Sequence, residues 1–115
     1  MTSTIFVSAL IRRVSGEGGF AAVVRHGSDE AGAIFICVPG GFGEGTTLFG
    51  QAPQSVVGDR DALPSGGRLF EKIADGLSPD ELDAKFEREA RLDPDFWVVE
   101  LELFGRSASD YFDIA

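Results

Sequence analysis

The sequence predicts an α+β domain: a mainly antiparallel sheet of about five strands with two helices packed on it. Three observations carry this reading. SPDE at 78–81 is a helix start, in which Ser78 caps, Pro79 takes the first helical position and Glu81 closes a capping box. Short apolar runs, FAAVVR (20–25), AIFICV (33–38) and TTLFG (46–50), alternate with Gly- and Asp-rich segments, as strands alternate with turns. After Pro94, residues Trp97, Val99, Leu101 and Leu103 alternate with Val98, Glu100 and Glu102, so one face of a strand is buried and the other turns to water.

In chain order, Val7, Leu10, Ile11 and Val14 share one face of a helix over 5–14, with Gly16 as its stop. Its β-branched residues also tolerate a strand. The runs 20–25 and 33–38, joined by HGSDEAG, read as a hairpin. PGGFGEG (39–45) is a turn-rich loop from which 46–50 returns as a third strand, and 51–67 reads as an irregular excursion rich in Pro and Gly. RLFEKI (68–73) fits either a helix face or an alternating strand, and its start on two glycines favours the strand. A helix over 79–92 then sets Leu82, Phe86 and Ala90 on one face, with Glu81/Lys85 and Glu87/Arg91 as i, i+4 pairs on the other. Pro94 disfavours helical geometry at Asp93 and ends it. With a helix between them, strands 68–73 and 96–104 are candidates for a parallel pair, which makes the sheet mixed. The chain is read as a single domain, 1–115, with 106–115 a tail that frays or docks Tyr111, Phe112 and Ile114 on a neighbour.

Composition narrows the function classes. The chain has 115 residues, 43% of them hydrophobic, with 10 Phe, enough for a core without disulfides or metals. Net charge is −9, which repels nucleic-acid phosphates. Much of it lies in 71–102, where eleven acids face four basic residues. The apolar stretch from Ile5 to Ile11 is too short for a bilayer span and is followed by Arg12 and Arg13, so neither a membrane segment nor a secretion signal is expected. The lone Cys37 lies in an apolar run and reads as a buried, reduced thiol; the expected location is the cytoplasm.

The chemistry-bearing residues are few. Arg12, Arg13, Arg25 and His26 are the candidate ligand-binding group, since guanidinium groups converge well on carboxylate or phosphate. The competing reading pairs them with the chain's own acids. RLDPDFWVVE (91–100) is read as architecture: Arg91, Asp93, Pro94, Asp95 and Trp97 form a structural junction between helix and strand, with the aspartates accepting backbone N–H bonds. A calcium loop needs more oxygen donors at regular spacing than Asp93, Asp95, Glu100 and Glu102 supply, so no metal site is expected. GGFGEG (40–45) lacks the spacing and the Lys-Ser/Thr pair of a phosphate loop and reads as a hairpin loop. His26 is the only histidine, and no serine sits in a nucleophile context, so no catalytic residue and no cofactor is assigned.

Several blocks together resemble the bacterial family catalogued as domain of unknown function 1491. They are VSALIRR (7–13), AAVVRHG (21–27) with Ala31 and Gly32, LFGQAP (48–53) and RLDPDFWVVELE (91–102). The resemblance implies a compact α+β domain and favours a strand at 68–73; it implies no activity, substrate or cofactor. The leading functional reading is a non-enzymatic interaction module, with self-association as a homodimer among the options, using the exposed sheet edge or the aromatic tail. The alternative is an anionic small-molecule binder, or an enzyme, that uses Arg13 and Arg25.

Overall fold

The computed structural model describes residues 2–52 and 68–115. Helices α1 (Ser3–Gly16) and α2 (Pro79–Leu92) pack on a six-stranded mixed sheet. Its strands are β1 (Phe20–Arg25), β2 (Ala33–Pro39), β3 (Thr46–Gln51), β4 (Leu69–Leu77), β5 (Phe96–Glu102) and β6 (Asp113–Ile114), in the spatial order β1-β5-β2-β3-β4-β6. The fold class, the strand at 68–73 and both helices agree with the sequence reading. Beyond Ala52, the excursion expected over 51–67 lies outside the described residues.

Thr2 starts α1 by accepting the Ile5 N–H on its hydroxyl at 3.2 Å. Gly16, the expected stop, is instead the last residue of the helix, and the stop falls two residues later. Gly18 takes the left-handed conformation at φ +87°, and the N–H groups of Gly18 and Gly19 close onto the carbonyls of Ser15 and Val14. In α2 both halves of the capping box form: Glu81 N–H to Ser78 Oγ at 3.2 Å and Ser78 N–H to Glu81 Oε1 at 3.0 Å. Because the Glu81 carboxylate turns back to the cap, it does not reach Lys85. The two i, i+4 pairs expected on α2 do not form ion pairs, whereas Arg13–Glu17 and Lys72–Asp75 do.

Strand order is where the structure departs most from the sequence reading. β1 and β2 run antiparallel but do not form the expected hairpin, because β5 inserts between them, antiparallel to β1 and parallel to β2. The 26–32 connection therefore crosses the start of β5. It is tied down by Ser3 Oγ to the Gly32 carbonyl at 2.7 Å and Thr4 N–H to the Asp29 carbonyl at 3.0 Å. The expected parallel pairing of 68–73 with 96–104 is likewise replaced: β3 and β2 stand between those strands, and the parallel pairs are β2/β5 and β4/β6. GGFGEG joins β2 to β3 as a hairpin loop, closed by Gly40 N–H to the Gly45 carbonyl at 2.7 Å.

Two apolar layers result. On one face α1 buries Phe6, Val7, Leu10 and Val14 against Ile34, Ile36, Phe49, Phe70, Trp97, Val99 and Leu101. Each such side chain contributes about 1.5–3 kcal/mol when fully withdrawn from water. Tyr111 and Phe112 of the tail join this same core, with Phe112 edge-on to Phe49 and Phe70 at 5.2 and 5.3 Å between ring centroids. On the other face Leu82, Phe86 and Ala90 of α2 cover Cys37, Leu48, Phe96 and Val98. That cover is partial, and its limit defines the site below.

Candidate functional site

The junction at 93–97 is built from its own backbone. Asp95 accepts the Ser28 N–H at 2.7 Å and the Ser28 hydroxyl at 2.8 Å. These two bonds, the backbone one first, hold its carboxyl below the usual carboxylate range. Asp93 accepts the Asp95 N–H at 3.0 Å, an Asx turn that rounds Pro94. Trp97, buried, donates its indole N–H to the Ser28 carbonyl at 2.9 Å, and His26 lies over its ring at 3.9 Å between centroids. Arg91 is exposed on the last turn of α2.

The arginines go to separate places. Arg25 donates to the Pro94 carbonyl at 2.7 Å and lies over the Phe96 ring, 4.1 Å from its centroid. Arg13 donates to the Asp110 carbonyl, stands 3.8 Å from Glu17 and faces the Tyr111 ring. Arg12 is exposed on α1. Arg25 and His26 thus share the junction, whereas Arg13 serves the tail. The guanidinium of Arg25 meets a carbonyl of the DPD turn rather than either aspartate, because both carboxylates already hold amide donors.

The surface that stays open lies elsewhere, on the α2 side of β1 and β5. Phe96 and Val98 are buried there, but the next two residues on that face, Glu100 and Glu102, are exposed and half-buried. Opposite them across the ladder stand Ala22 and Phe20. β1 is one edge of the sheet, has no charged residue before Arg25, and leaves Phe20 63% and Val24 62% exposed. A bulge between Val23 and Arg25 interrupts its far end.

At the Phe20 end, a cleft of about 590 Å³ opens between the 40–45 loop and the turn after β5. Its wall includes Glu44, Glu102, Arg106 and Phe104, the last in the left-handed region at φ +50° and 67% exposed. Gly105 follows at φ +88°, and Arg106 N–H closes the turn on the Leu103 carbonyl at 3.1 Å. A bulky residue in that conformation costs about 1–2 kcal/mol.

The sequence reading anticipated leftover aromatic surface at a sheet edge but did not place it on β1. The signal was available: five uncharged residues in a row, FAAVV, lack the lysines and prolines that usually guard an edge. Among the described residues no group of three or more His, Cys, Asp or Glu could hold a metal ion, and no helix is long and apolar enough to cross a membrane.

Residues 1–109 match the model of the family described as protein of unknown function DUF1491. The solution structure of protein Atu0922 from A. tumefaciens is 42% identical, with a TM-score of 0.81 over 100% of this chain and 94% of that one. A crystal structure of a DUF1491 family protein from Caulobacter crescentus CB15 is 34% identical, with a TM-score of 0.72 over 100% and 97% of the two chains. An NMR structure of a DUF1491 family protein from the same organism gives 31% identity and a TM-score of 0.72 over 100% and 96%. No curated protein matches the chain. With its family model spanning nearly the whole length, and with relatives of the same fold, this chain belongs to the DUF1491 family of proteins of unknown function.

Proposed function

We propose that this protein is a non-enzymatic interaction module that recruits an extended segment of a partner as an added strand on β1. The observation that carries the reading is an apolar, uncharged edge strand whose Phe20 and Val24 side chains are more than half exposed. An edge strand offers a row of backbone donors and acceptors to any chain that pairs with it, and the neighbouring apolar side chains add contact area. Of the two surfaces expected for a partner, the edge is favoured over the aromatic tail, since Tyr111 and Phe112 are consumed by the chain's own core. The anion-binding alternative through Arg13 and Arg25 has less support, because each guanidinium is committed to a different part of the chain. We place the protein in the cytoplasm, where a lone buried thiol such as Cys37 stays reduced.

The test is amide hydrogen exchange with and without an excess of a short, uncharged peptide of alternating valine and threonine. Slower exchange confined to β1 supports strand addition. Unchanged exchange along the whole of β1, with this peptide and with versions in which lysine or glutamate replaces the threonine, overturns it.

A further inference from the structure

We propose that the segment added to β1 is basic, carrying a lysine or arginine that crosses Ala22 to reach Glu100 and Glu102. The proposal rests on strand addition at β1 and specifies its chemistry. On the open face the cross-strand pairs are Phe20 with Glu102 and Ala22 with Glu100. Adjacent strands lie about 4.8 Å apart, so a segment paired with β1 has its backbone roughly 10 Å from β5. Ala22 contributes only a methyl group to the space between. The stem of a long cationic side chain can lie along it while the charged head reaches the carboxylates, and the exposed ring of Phe20 flanks the path.

The surrounding charge points the same way. At one end of β1, Arg25 is held by the Pro94 carbonyl and the Phe96 ring; at the other, the Arg106 guanidinium lies against Gly18. Between them, the charged residues that β1 and β5 place on this face are Glu100 and Glu102. A segment running antiparallel to β1 leaves it past Phe20 toward the cleft, where Glu44 and Glu102 each spend an oxygen on a backbone N–H, of Gly41 and Phe104 respectively, and keep their negative charge in the wall. A second copy of this chain fits less well. It would bring another body of net charge −9 and a second Glu100/Glu102 pair to the same edge, and like charges oppose such association.

The experiment compares two short peptides on the full chain, one alternating valine with lysine and one alternating valine with glutamate, by amide chemical-shift mapping and fluorescence anisotropy. The expected result is that the lysine peptide perturbs β1 and the cleft, and that the glutamate peptide binds at least about tenfold more weakly. The Glu100→Gln, Glu102→Gln double variant should erase that difference. Ala22→Leu, which fills the path at an edge position and leaves both charges, should reduce it as well. Equal binding of the two peptides at β1 overturns the basic-segment inference and leaves strand addition standing. Perturbation by the lysine peptide centred on the acids of α2 instead of β1 also overturns it. Absence of any β1 response to all three peptides, basic, acidic and uncharged, sinks strand addition itself. A concentration-dependent dimer in light scattering with β1 already protected replaces the basic partner with a second copy.

Discussion

The indole N–H of Trp97 and the carbonyl of Ser28 meet at 2.9 Å, and this bond fixes how the 26–32 connection crosses the start of β5. It lets β1 and β2 stand on either side of β5 while remaining joined by a short loop.

Trp97→Phe should therefore cost more than its small change in apolar area. It removes the donor to Ser28 and replaces the indole on which His26 lies with a smaller ring. The expected loss is about 2 kcal/mol, combining an orphaned acceptor with a partly filled gap. Urea unfolding measures it, with the midpoint lowered and the slope unchanged. A midpoint equal to that of the parent would show that the bond holds nothing in place.

Glycines 16 and 27 should respond in opposite directions to alanine. A Cβ on Gly27 would lie 2.6 Å from Trp97 Cδ1 and 2.9 Å from the Phe96 carbonyl carbon, so a packed indole or backbone has to move. The expected cost is about 1–3 kcal/mol. Gly16, the last residue of α1, has nothing within 4 Å of such a Cβ. There alanine should stabilise by up to about 1 kcal/mol through helix propensity. Thermal melts of the two variants settle the sign of each.

The contrast shows which parts of this fold a reader of the sequence can recover. Local chemistry was legible: Ser78, Pro79 and Glu81 announced α2, Pro94 announced its end, and the alternation from Trp97 to Leu103 announced β5 with its buried face. Strand order was not legible, because HGSDEAG looks the same whether it joins two paired strands or steps over a third. What decides the matter is the pairing of Ser28 with Asp95 and Trp97, nearly seventy positions away. The same holds for the open face. Glu100 and Glu102 read as the wet side of β5, but that Phe20 stands opposite Glu102 follows only from the insertion.

Acid should weaken the junction in a defined sense. The carboxyl of Asp95 is held below the usual range by the Ser28 N–H and hydroxyl, so its folded pKa lies under its unfolded one. Such a group contributes stability that is present above the unfolded value and is lost as pH falls through the folded one. Asp95→Asn should be less stable than the parent at neutral pH, and the gap should narrow as pH falls below the carboxylate range. Urea midpoints of both proteins across that range check it, and a gap independent of pH would remove Asp95 from the account.

Cys37 should be inert while the chain is folded. Burial, and then the negative charge of Glu100 beside it, push its thiol up to about 12. Since the thiolate is the reactive species, alkylation by iodoacetamide at mildly alkaline pH should proceed only through opening of the structure. Its rate should rise steeply with urea, whereas Glu100→Gln should change it little, because burial is the larger cause. Fast modification of the native protein would mean that the face beneath α2 opens readily.

The last residues should prove as important to stability as the sheet they follow. Phe112 is 3% exposed and sits edge-on to Phe49 and Phe70, while the Ala115 N–H reaches the Phe70 carbonyl at 2.7 Å and pairs β6 with β4. Phe112→Ala leaves a void between two core rings and should cost about 3–5 kcal/mol, a large share of the stability of a domain this size. Phe104→Ala makes the same chemical change at an exposed, strained position and should cost nothing or stabilise, since it removes no buried contact. Denaturation midpoints of the two variants separate a tail that completes the core from one that merely trails it. Equal midpoints would return 106–115 to the status of an appendage.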